Sequence, residues 1–456
     1  MLLAKRKDLD LTNGPLLSTM IRFALPLMAA NLISTMFNAM DIMVLSWFAE
    51  GNEVAAIGAT SAVNALFSQW GIGLCVGVNI ILARLLGRGD AEQVRRVVST
   101  AILTGAMLGT LMAVVGIFAC RPFLVWTNCP SECMDDAILA SALYYAALPF
   151  MFIYHYAAAV IRVSGDSDSP LRFMIISGLA NISLNAVFCV FFEHKVAAVA
   201  IATMISQALG AYLAVRHLMK TEGACRFSFK ALRFDFVSFR KMIWYGLPTA
   251  ITTSIFPITN LQIQSAMNAF GADVLTGNVA ATQYENIVAN VGNAIGTSAL
   301  TFIGQNIGAG KKDRVYKSFF YSAVLEFSLV FILSAVILIF GPFFSSIFGA
   351  GSGAALDASL LRMRVVVIFC FIALTPMPST IQAFGYPQLQ TMINLAGILG
   401  IRTLWMQVFY GRILKASLLN LYICYPLSYS ILAVAYAIVV ATLFHRYRSG
   451  KIGDKL

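Results

Sequence analysis

The sequence predicts an all-α polytopic membrane protein with twelve transmembrane helices arranged as two six-helix bundles. Three observations support this prediction. The 456 residues are 59% hydrophobic and only 12% charged, whereas a soluble domain carries roughly 25% charged residues. Apolar runs long enough to cross a bilayer recur along the whole chain. Finally, the second half repeats features of the first. Lipid admits only helices or closed barrels, and the strict alternation of barrel strands is absent, so helices are expected.

The apolar runs predict twelve spans. They cover residues 21–46, 54–83, 94–119, 137–161, 171–193, 196–217, 242–268, 274–303, 316–345, 358–384, 390–410 and 418–445. Lys and Arg concentrate in cytoplasmic loops. If the N-terminus is cytoplasmic, 25 of the 32 basic residues lie on that side and six, including Arg362, on the other, while Arg402 lies within a span. Both termini are therefore predicted to be cytoplasmic, with the protein in the plasma (inner) membrane. The net charge of +11 then faces anionic lipid and needs no nucleic acid.

An internal repeat divides the chain. The matched residues are Asn38 and Asn260 at an offset of 222, Gly89 and Gly310 at 221, and Gly165 and Gly385 at 220. We infer an N-terminal lobe at 1–225, a cytoplasmic linker at 226–241 and a C-terminal lobe at 242–456. Six is an even number, so both halves begin on the same side, and a pseudo-two-fold axis along the membrane normal is expected. Two such bundles would enclose a cleft, which is typical of a transporter.

The sequence shows no nucleotide site. The segment GQNIGAGK at 304–311 lacks the glycine spacing and the Ser or Thr of a phosphate-binding loop. Energy would then come from an ion gradient, unless the protein is a passive facilitator, and no cofactor is expected beyond a coupling proton or sodium ion. An intramembrane enzyme would need paired aspartates, a Ser/His dyad or HExxH, and none of these is visible, so the protein is not expected to be an enzyme.

One carboxylate lies in the first span. An ionised carboxylate at the centre of a span costs at least about 2.5 kcal/mol, which favours a functional role for Asp41. Counting residues from the outer end of each span places Asn181, Asn185 and Thr203 in the same outer half. A carboxylate, two amides and a hydroxyl suit a proton or a hard cation such as sodium. The alternative is that the amides and the hydroxyl only join helices by hydrogen bonds.

The C-terminal half places other polar residues in its spans. Glu285 and Arg402 lie at similar depth, which predicts a buried pair. A structural ion pair and a substrate or coupling site are equally compatible with this pair. Glu326 lies near the middle of its span, where it either lines the cleft or snorkels. His155, in the N-terminal half, is more typical of packing than of a proton relay.

The first span also contains a candidate hinge and two methionines that could line an apolar cavity. Pro26 removes a backbone hydrogen bond and permits a kink, which could couple the state of Asp41 to helix bending. Met36 and Met40 suit an adaptable apolar cavity, although core packing explains them equally well. Asn260, the repeat counterpart of Asn38, completes the set of candidate substrate residues.

Taken together, these motifs resemble the multidrug and toxic compound extrusion (MATE) transporters. The resemblance rests on a Leu-Pro opening the first helix of each half, on NAMDIMVL at 38–45, on LLGRGD at 85–90 with NIGAGK at 306–311, and on NISLN at 181–185. It implies an antiporter that exports amphipathic, usually cationic compounds in exchange for protons or sodium. It also implies a cation site at Asp41, Asn181, Asn185 and Thr203. The family commonly has Asp where this chain has Asn185, so a single acid remains and a proton is favoured over tightly bound sodium.

The partners follow from the same resemblance. We expect small amphipathic organic cations and membrane lipids, no nucleotide and no nucleic acid, and a monomer. The alternative function is a flippase for a lipid-linked saccharide, which would need a cationic cleft for its diphosphate. Only Arg402 is placed deep in a span, which favours a cationic or neutral substrate. Cys129 and Cys133 share a predicted outer loop, where they are either paired or free.

Overall fold

The structure, a computed structural model, describes residues 9–48, 51–126, 134–192, 194–367 and 376–452. Within these ranges the side chains of 38–39, 41–47, 51–59, 61–62, 126, 257, 261 and 367 are not described, and Asp41 is one of them. Cys129 and Cys133 also lie outside the described residues. The described chain is helical almost throughout.

Up to residue 339, the described residues form nine long helices. They are α1 (Leu16–Phe48), α2 (Gly51–Arg88), α3 (Ala91–Trp126), α4 (Met134–Val163), α5 (Asp168–Phe191), α6 (Lys195–Lys220), α7 (Phe236–Met267), α8 (Ala272–Gly308) and α9 (Lys312–Ile339). Across the described residues, ten helical segments are long and apolar enough to cross a membrane. The two predicted spans outside this set are 242–268, which lies on the 32-residue α7, and 358–384, which includes the undescribed 368–375.

The remaining helices are shorter than predicted. They are α10 (Gly341–Ile347), α11 (Gly353–Arg362), α12 (Met377–Ala383), α13 (Pro387–Asn394), α14 (Ile401–Leu404), α15 (Leu418–Tyr422) and α16 (Cys424–Arg448). The predicted span 316–345 is wrong at its end: α9 stops at Ile339 and a new helix starts at Gly341, with a proline in its first turn. Proline lacks an N–H and fits the first turn of a helix, so the chain restarts there.

Three π-helical segments interrupt the late helices. One follows α11 at Met363–Val367, and the other two flank α14 at Leu395–Gly400 and Trp405–Phe409. The predicted span 390–410 is therefore not one uniform α-helix. A π-helix carries i→i+5 hydrogen bonds, and such segments occur frequently at functional sites.

Aspartates begin three of the helices on the predicted cytoplasmic side. The carboxylates of Asp90, Asp166 and Asp235 accept hydrogen bonds from backbone N–H groups in the first turns of α3, α5 and α7, at 3.1, 2.9 and 3.1 Å. These N–H groups have no partner within the helix. The side-chain hydrogen bond from Ser238 also lowers the pKa of Asp235 below its ordinary value.

The same turns recur in the two halves of the chain. Gly89, after α2, has φ of +75°, and Gly310, after α8, has φ of +69°. Gly165 and Gly385, the next repeat pair, have φ of +103° and +78°. Only glycine adopts such angles without steric cost. The glycine matches in the sequence therefore mark matching turns of the backbone.

The described chain forms two compact units, one from Met1–Gly14 and Ile21–Ala250, the other from Pro15–Met20 and Ile251–Leu456. The first half of α7 belongs to the N-terminal unit because it packs closely on α2. A Cβ on Gly77 would lie 2.2 Å from the carbonyl oxygen of Met242, and one on Gly246 would lie 2.3 Å from that of Leu74. Small residues allow two helix backbones to approach this closely.

Candidate functional site

In the N-terminal unit, α1 packs on α5 through a glycine. A Cβ on Gly178 would lie 1.9 Å from the Phe37 ring, so the ring occupies the space that only a glycine leaves. Gly178, Asn181 and Asn185 follow one another at helical spacing and share a face of α5. The contact with Phe37 therefore directs this face of α5 towards α1.

Behind this contact, three of the predicted residues come together. The Asn185 amide donates to Asn181 Oδ1 at 3.3 Å, and the Asn181 amide donates to Thr203 Oγ1 on α6, also at 3.3 Å. Thr203 in turn donates to the carbonyl of Val199 at 2.9 Å. Both asparagines are buried. The bond from Asn181 to Thr203 joins α5 to α6, so the predicted group is also a connection between helices.

The other N-terminal candidates lie along α1. Asp41 follows Phe37 by four residues, about one helical turn, and its side chain lies outside the described residues. Pro26 is buried, and α1 continues through it without ending. Met36 and Met40 are 61% and 39% exposed. They therefore do not belong to the packed core of the described unit.

In the C-terminal unit, α8 and α11 approach through Gly277. A Cβ there would lie 2.0 Å from the carbonyl oxygen of Ala355. This approach places Arg362 against the polar face of α8. Arg362 Nε and Nη2 donate to the two carboxylate oxygens of Glu285 at 2.6 and 2.7 Å, and its Nη1 donates to Asn278 Oδ1. A two-pronged arginine–carboxylate pair of this kind is among the stronger hydrogen-bonded contacts.

The predicted pairing of Glu285 with Arg402 is therefore wrong. The partner of Glu285 is Arg362, which the sequence analysis counted with the outer loops because it lies near the beginning of a predicted span. In the structure α11 starts earlier, at Gly353, and Arg362 is its last residue and only 4% exposed. Arg402 is consequently not the only base that lies deep in the protein.

Arg402 lies in the same region but is not paired with the Glu285 carboxylate. Its side chain is 1% exposed. Arg402 Nε donates to Ser428 Oγ at 3.2 Å, and Nη1 donates to Thr259 Oγ1 at 3.5 Å. The guanidinium lies 4.4 Å from the ring centre of Tyr425 and 5.1 Å from that of Tyr429. These distances are within cation–π range.

Tyr425 connects the predicted C-terminal residues. Its ring centre is also 5.2 Å from the Arg362 guanidinium, and its hydroxyl donates to Asn260 Oδ1 at 3.4 Å. Glu285, Arg402 and Asn260 therefore belong to one cluster, joined through Arg362 and Tyr425. Asn278 and three tyrosines, Tyr422, Tyr425 and Tyr429, also belong to this region and were not predicted from the sequence. Their spacing of three and four residues in an apolar segment marks one helix face and was visible in the sequence.

Two further titratable residues stand apart from these contacts. Glu326 is buried on α9, and none of the described residues forms a hydrogen bond with its Oε2. His155, on α4, packs with its ring centre 5.7 Å from that of Tyr154. Among the described residues, no group of three His, Cys, Asp or Glu is placed to hold a metal ion.

These features define a multi-pass helical membrane protein with a buried polar cluster in each of two units, which is the class of a membrane transporter. The MatE family model matches residues 26–187 and 248–405. Among curated proteins, the chain is 22% identical over 421 residues to "Probable multidrug resistance protein YoeA" of Bacillus subtilis, covering 91% of each chain. It is 25% identical over 335 residues to "FAD transporter" of Shewanella oneidensis, covering 70% of this chain and 71% of the relative.

A solved structure described as "Outward-facing conformation of a multidrug resistance MATE family transporter of the MOP superfamily" superposes with a TM-score of 0.87 at 16% identity, covering 96% of this chain and 99% of the other. That likeness confirms the twelve-helix, two-bundle fold. The chain belongs to the MATE family of multidrug efflux transporters. It is a secondary transporter and not an enzyme, and the family match does not favour the flippase alternative.

Proposed function

We propose that this transporter exports small amphipathic organic compounds in exchange for protons, with Asp41 as the residue that binds the proton. The contact between Phe37 and Gly178 carries this proposal. Asp41 lies one helical turn beyond Phe37, and Asn181 lies one turn beyond Gly178. Helices α1 and α5 are both odd-numbered spans, so they run in the same direction across a membrane. The backbone position of Asp41 is therefore level with the Asn181–Asn185–Thr203 group.

The composition of this group favours a proton over sodium. Asn181 and Asn185 are neutral, and their hydrogen bonds already use the Asn181 oxygen and the Thr203 hydroxyl. Sodium would need several oxygen ligands and would find only one negative charge here, whereas a proton needs only the carboxylate. Protonation removes a charge whose burial in lipid is costly. The proton would thereby bias α1, which contains Pro26, between two conformations that expose the binding site to alternate sides.

The location and the cargo follow from the same proposal. Export by proton exchange requires a membrane with a proton gradient, so we place the protein in the plasma membrane with both termini cytoplasmic, as a monomer. The sequence alone predicts organic cations as cargo, on the ground that Arg402 is the one base deep in a span. Arg362 is buried as well, so this ground is weakened. The names of the relatives include both multidrug resistance proteins and an FAD transporter.

Counterflow in proteoliposomes tests the coupling. The liposomes carry a fluorescent amphipathic dye, and a pH gradient or a sodium gradient is imposed separately. We expect wild-type export to follow the pH gradient and Asp41→Asn to lose at least about tenfold in rate, as for loss of an essential proton-transfer group. Glu92→Gln is the matched control, because Glu92 lies on the exposed start of α3. Export by Asp41→Asn at the wild-type rate would remove Asp41 from the mechanism, and export driven by sodium alone would replace the proton.

A further inference from the structure

The C-terminal cluster contains more positive than negative charge. Arg362 and Arg402 are both buried, and Glu285 neutralises only Arg362. Within the part of the chain that the structure describes, no carboxylate lies within ion-pair distance of the Arg402 guanidinium. Its Nη2 is buried and has no hydrogen-bond partner among the residues that the structure describes. The cluster is thus one negative charge short.

The neighbours of Arg402 offset only part of this shortage. Ser428 and Thr259 accept hydrogen bonds from the guanidinium, the Tyr429 side chain is a further hydrogen-bond partner of Arg402, and the rings of Tyr425 and Tyr429 lie over it. Hydroxyls and ring faces stabilise a cation but do not neutralise it. A buried charge that lacks its partner is strongly unfavourable. The surroundings of Arg402 therefore favour an anion at Nη2.

The backbone around both arginines supports a binding role. Arg362 is the last residue of α11, directly before the π-helical Met363–Val367. Arg402 lies in α14, a four-residue α segment with a π-helical segment on each side. Segments of this kind are uncommon and occur frequently at functional sites. Both arginines therefore lie where the helix changes its hydrogen-bond pattern, which is typical of functional sites.

Residues that hydrogen-bond to the cluster reach the surface of the C-terminal unit. The hydroxyl of Tyr425 donates to Asn260, which is exposed. Next to Asn260 on α7, half-buried Gln262 accepts a hydrogen bond from Thr403 at 3.1 Å, and Thr403 adjoins Arg402. Polar side chains therefore lead from the surface of the unit to the buried guanidinium.

We propose that Arg402 binds the carboxylate of a transported amphipathic compound, with Nη2 as the donor that the compound satisfies. The rings of Tyr425 and Tyr429 hold the Arg402 guanidinium in place. Arg362, which is paired with Glu285, also contacts the Tyr425 ring and so fixes its position. This inference rests on the proposed export function and specifies its cargo. The preferred compounds are acids or zwitterions, and a compound with the same ring system but no carboxylate binds more weakly.

Equilibrium binding to the purified protein, with no gradient, tests the site. The probes are rhodamine B, which carries a free carboxylate, and its ethyl ester, which has the same ring system. Fluorescence polarisation gives the affinity of each dye, and the ratio of the two affinities is the readout. We expect the wild type to prefer the acid by about tenfold or more, because one charge-assisted hydrogen bond is sufficient for that difference.

Three variants complete the experiment. Arg402→Gln should bind acid and ester equally, and Arg402→Lys should retain part of the preference because it keeps the charge. Arg412→Gln is the matched control, since Arg412 is an exposed arginine in the same unit and lies in a turn outside the helices of the cluster, and it should match the wild type. Because each value is a ratio within one sample, partial loss of folded protein does not change it.

The outcomes separate this site from the proposed export. Equal binding of acid and ester by the wild type overturns the site, as does an equal loss of both affinities in Arg402→Gln, which would indicate a packing role. Either result leaves proton-driven counterflow untouched. Conversely, an acid preference that depends on Arg402, found together with counterflow that no gradient drives, would retain the site and remove the proposed coupling.

Discussion

The two buried clusters occupy corresponding places in the repeat but differ in charge. In the N-terminal unit, α1, α5 and α6 contribute Phe37, Asn181 and Thr203. With the repeat offsets, Phe37 corresponds to Thr259, which contacts Arg402, and Arg402 corresponds to Ile182, next to Asn181. Asp41 corresponds to Ile263, so each half has a charge where the other half has isoleucine. One scaffold thus supports an acidic position in one unit and a basic one in the other.

The difference shows which part of a repeat is fixed by folding. Glycines at helix contacts and turns recur because backbone geometry requires them, as with Gly89 and Gly310. The side chains that fill the resulting space are not under that constraint. In the N-terminal unit they are neutral amides joined by hydrogen bonds, whereas in the C-terminal unit they include the Glu285–Arg362 ion pair and the buried Arg402. The two units should therefore respond differently to loss of a single polar group.

The largest effect is expected at Glu285. Glu285→Gln leaves the buried Arg362 guanidinium without its carboxylate, which should lower the free energy of unfolding by about 3–5 kcal/mol. Thermal unfolding in detergent, followed by intrinsic fluorescence, measures the change. The double variant Glu285→Gln with Arg362→Met should recover much of the loss, since no charge is then left unpaired. A cost below about 1 kcal/mol in the single variant would show that the pair is not the main support of this cluster.

A smaller effect is expected at Gly178. Gly178→Leu forces a side chain into the volume of the Phe37 ring, and overpacking of this kind costs about 1–3 kcal/mol. It should also separate α1 from α5. Proton-driven export should therefore slow even at temperatures where the variant is still folded. Phe37→Ala added to Gly178→Leu makes room and should restore part of both. If Gly178→Leu alone exported normally, contact between these two helices would not be required for coupling.

The smallest effect concerns the matching turns at Asp166 and Tyr386. Burial opposes ionisation of Asp166, but hydrogen bonds from His217 and Ser169 outweigh it and lower the pKa of this carboxyl. A lowered folded-state pKa contributes stability above the ordinary carboxyl pKa of about 3.9, and this contribution is lost as the pH falls through the folded-state value. Asp166→Asn should therefore cost up to about 1 kcal/mol at pH 7.

Unfolding measured at a series of pH values from 7 to 3 checks this sign. The difference between wild type and Asp166→Asn should shrink only at the acidic end of the series. Tyr386→Phe, at the corresponding turn of the other half, should give a difference that does not vary with pH over this range. A pH-independent cost for Asp166→Asn would mean that the ionised carboxylate is not the stabilising species.

Much of the fold could be predicted from the sequence, because apolar length and basic residues report directly on membrane spans. The limits of the prediction lie where local geometry departs from a uniform α-helix. Hydropathy has no signal for a π-helical segment, and the predicted spans 358–384 and 390–410 therefore missed the changes of helix type beside Arg362 and Arg402. A separate error, in the start of the predicted span 358–384, put Arg362 among the basic residues of the outer face and left Arg402 as the apparent partner of Glu285.

The N-terminal group was easier to predict for a physical reason. Asn181 and Asn185 lie four residues apart on one regular helix, so their shared face follows from spacing alone, and the structure joins them to Thr203. The C-terminal cluster brings together five separate segments, and depth along a helix does not indicate which neighbours meet. Glu285, Arg402 and Asn260 were identified as candidates, but their connection runs through Tyr425, which the sequence analysis had not considered.

The π-helical segments beside Arg402 have a mechanical consequence. A π turn contains more residues than an α turn, so Leu395–Gly400 and Trp405–Phe409 hold spare chain on both sides of one short α segment. One residue corresponds to a rotation of about 100° around a helix axis. If the extra residue of a π turn moved from one π-helical segment to the other, the Arg402 guanidinium would turn by that angle while both ends of the span stay in place. Such a shift would need neither a proline nor a loop, because residues 395–409 form one continuous helical stretch without either.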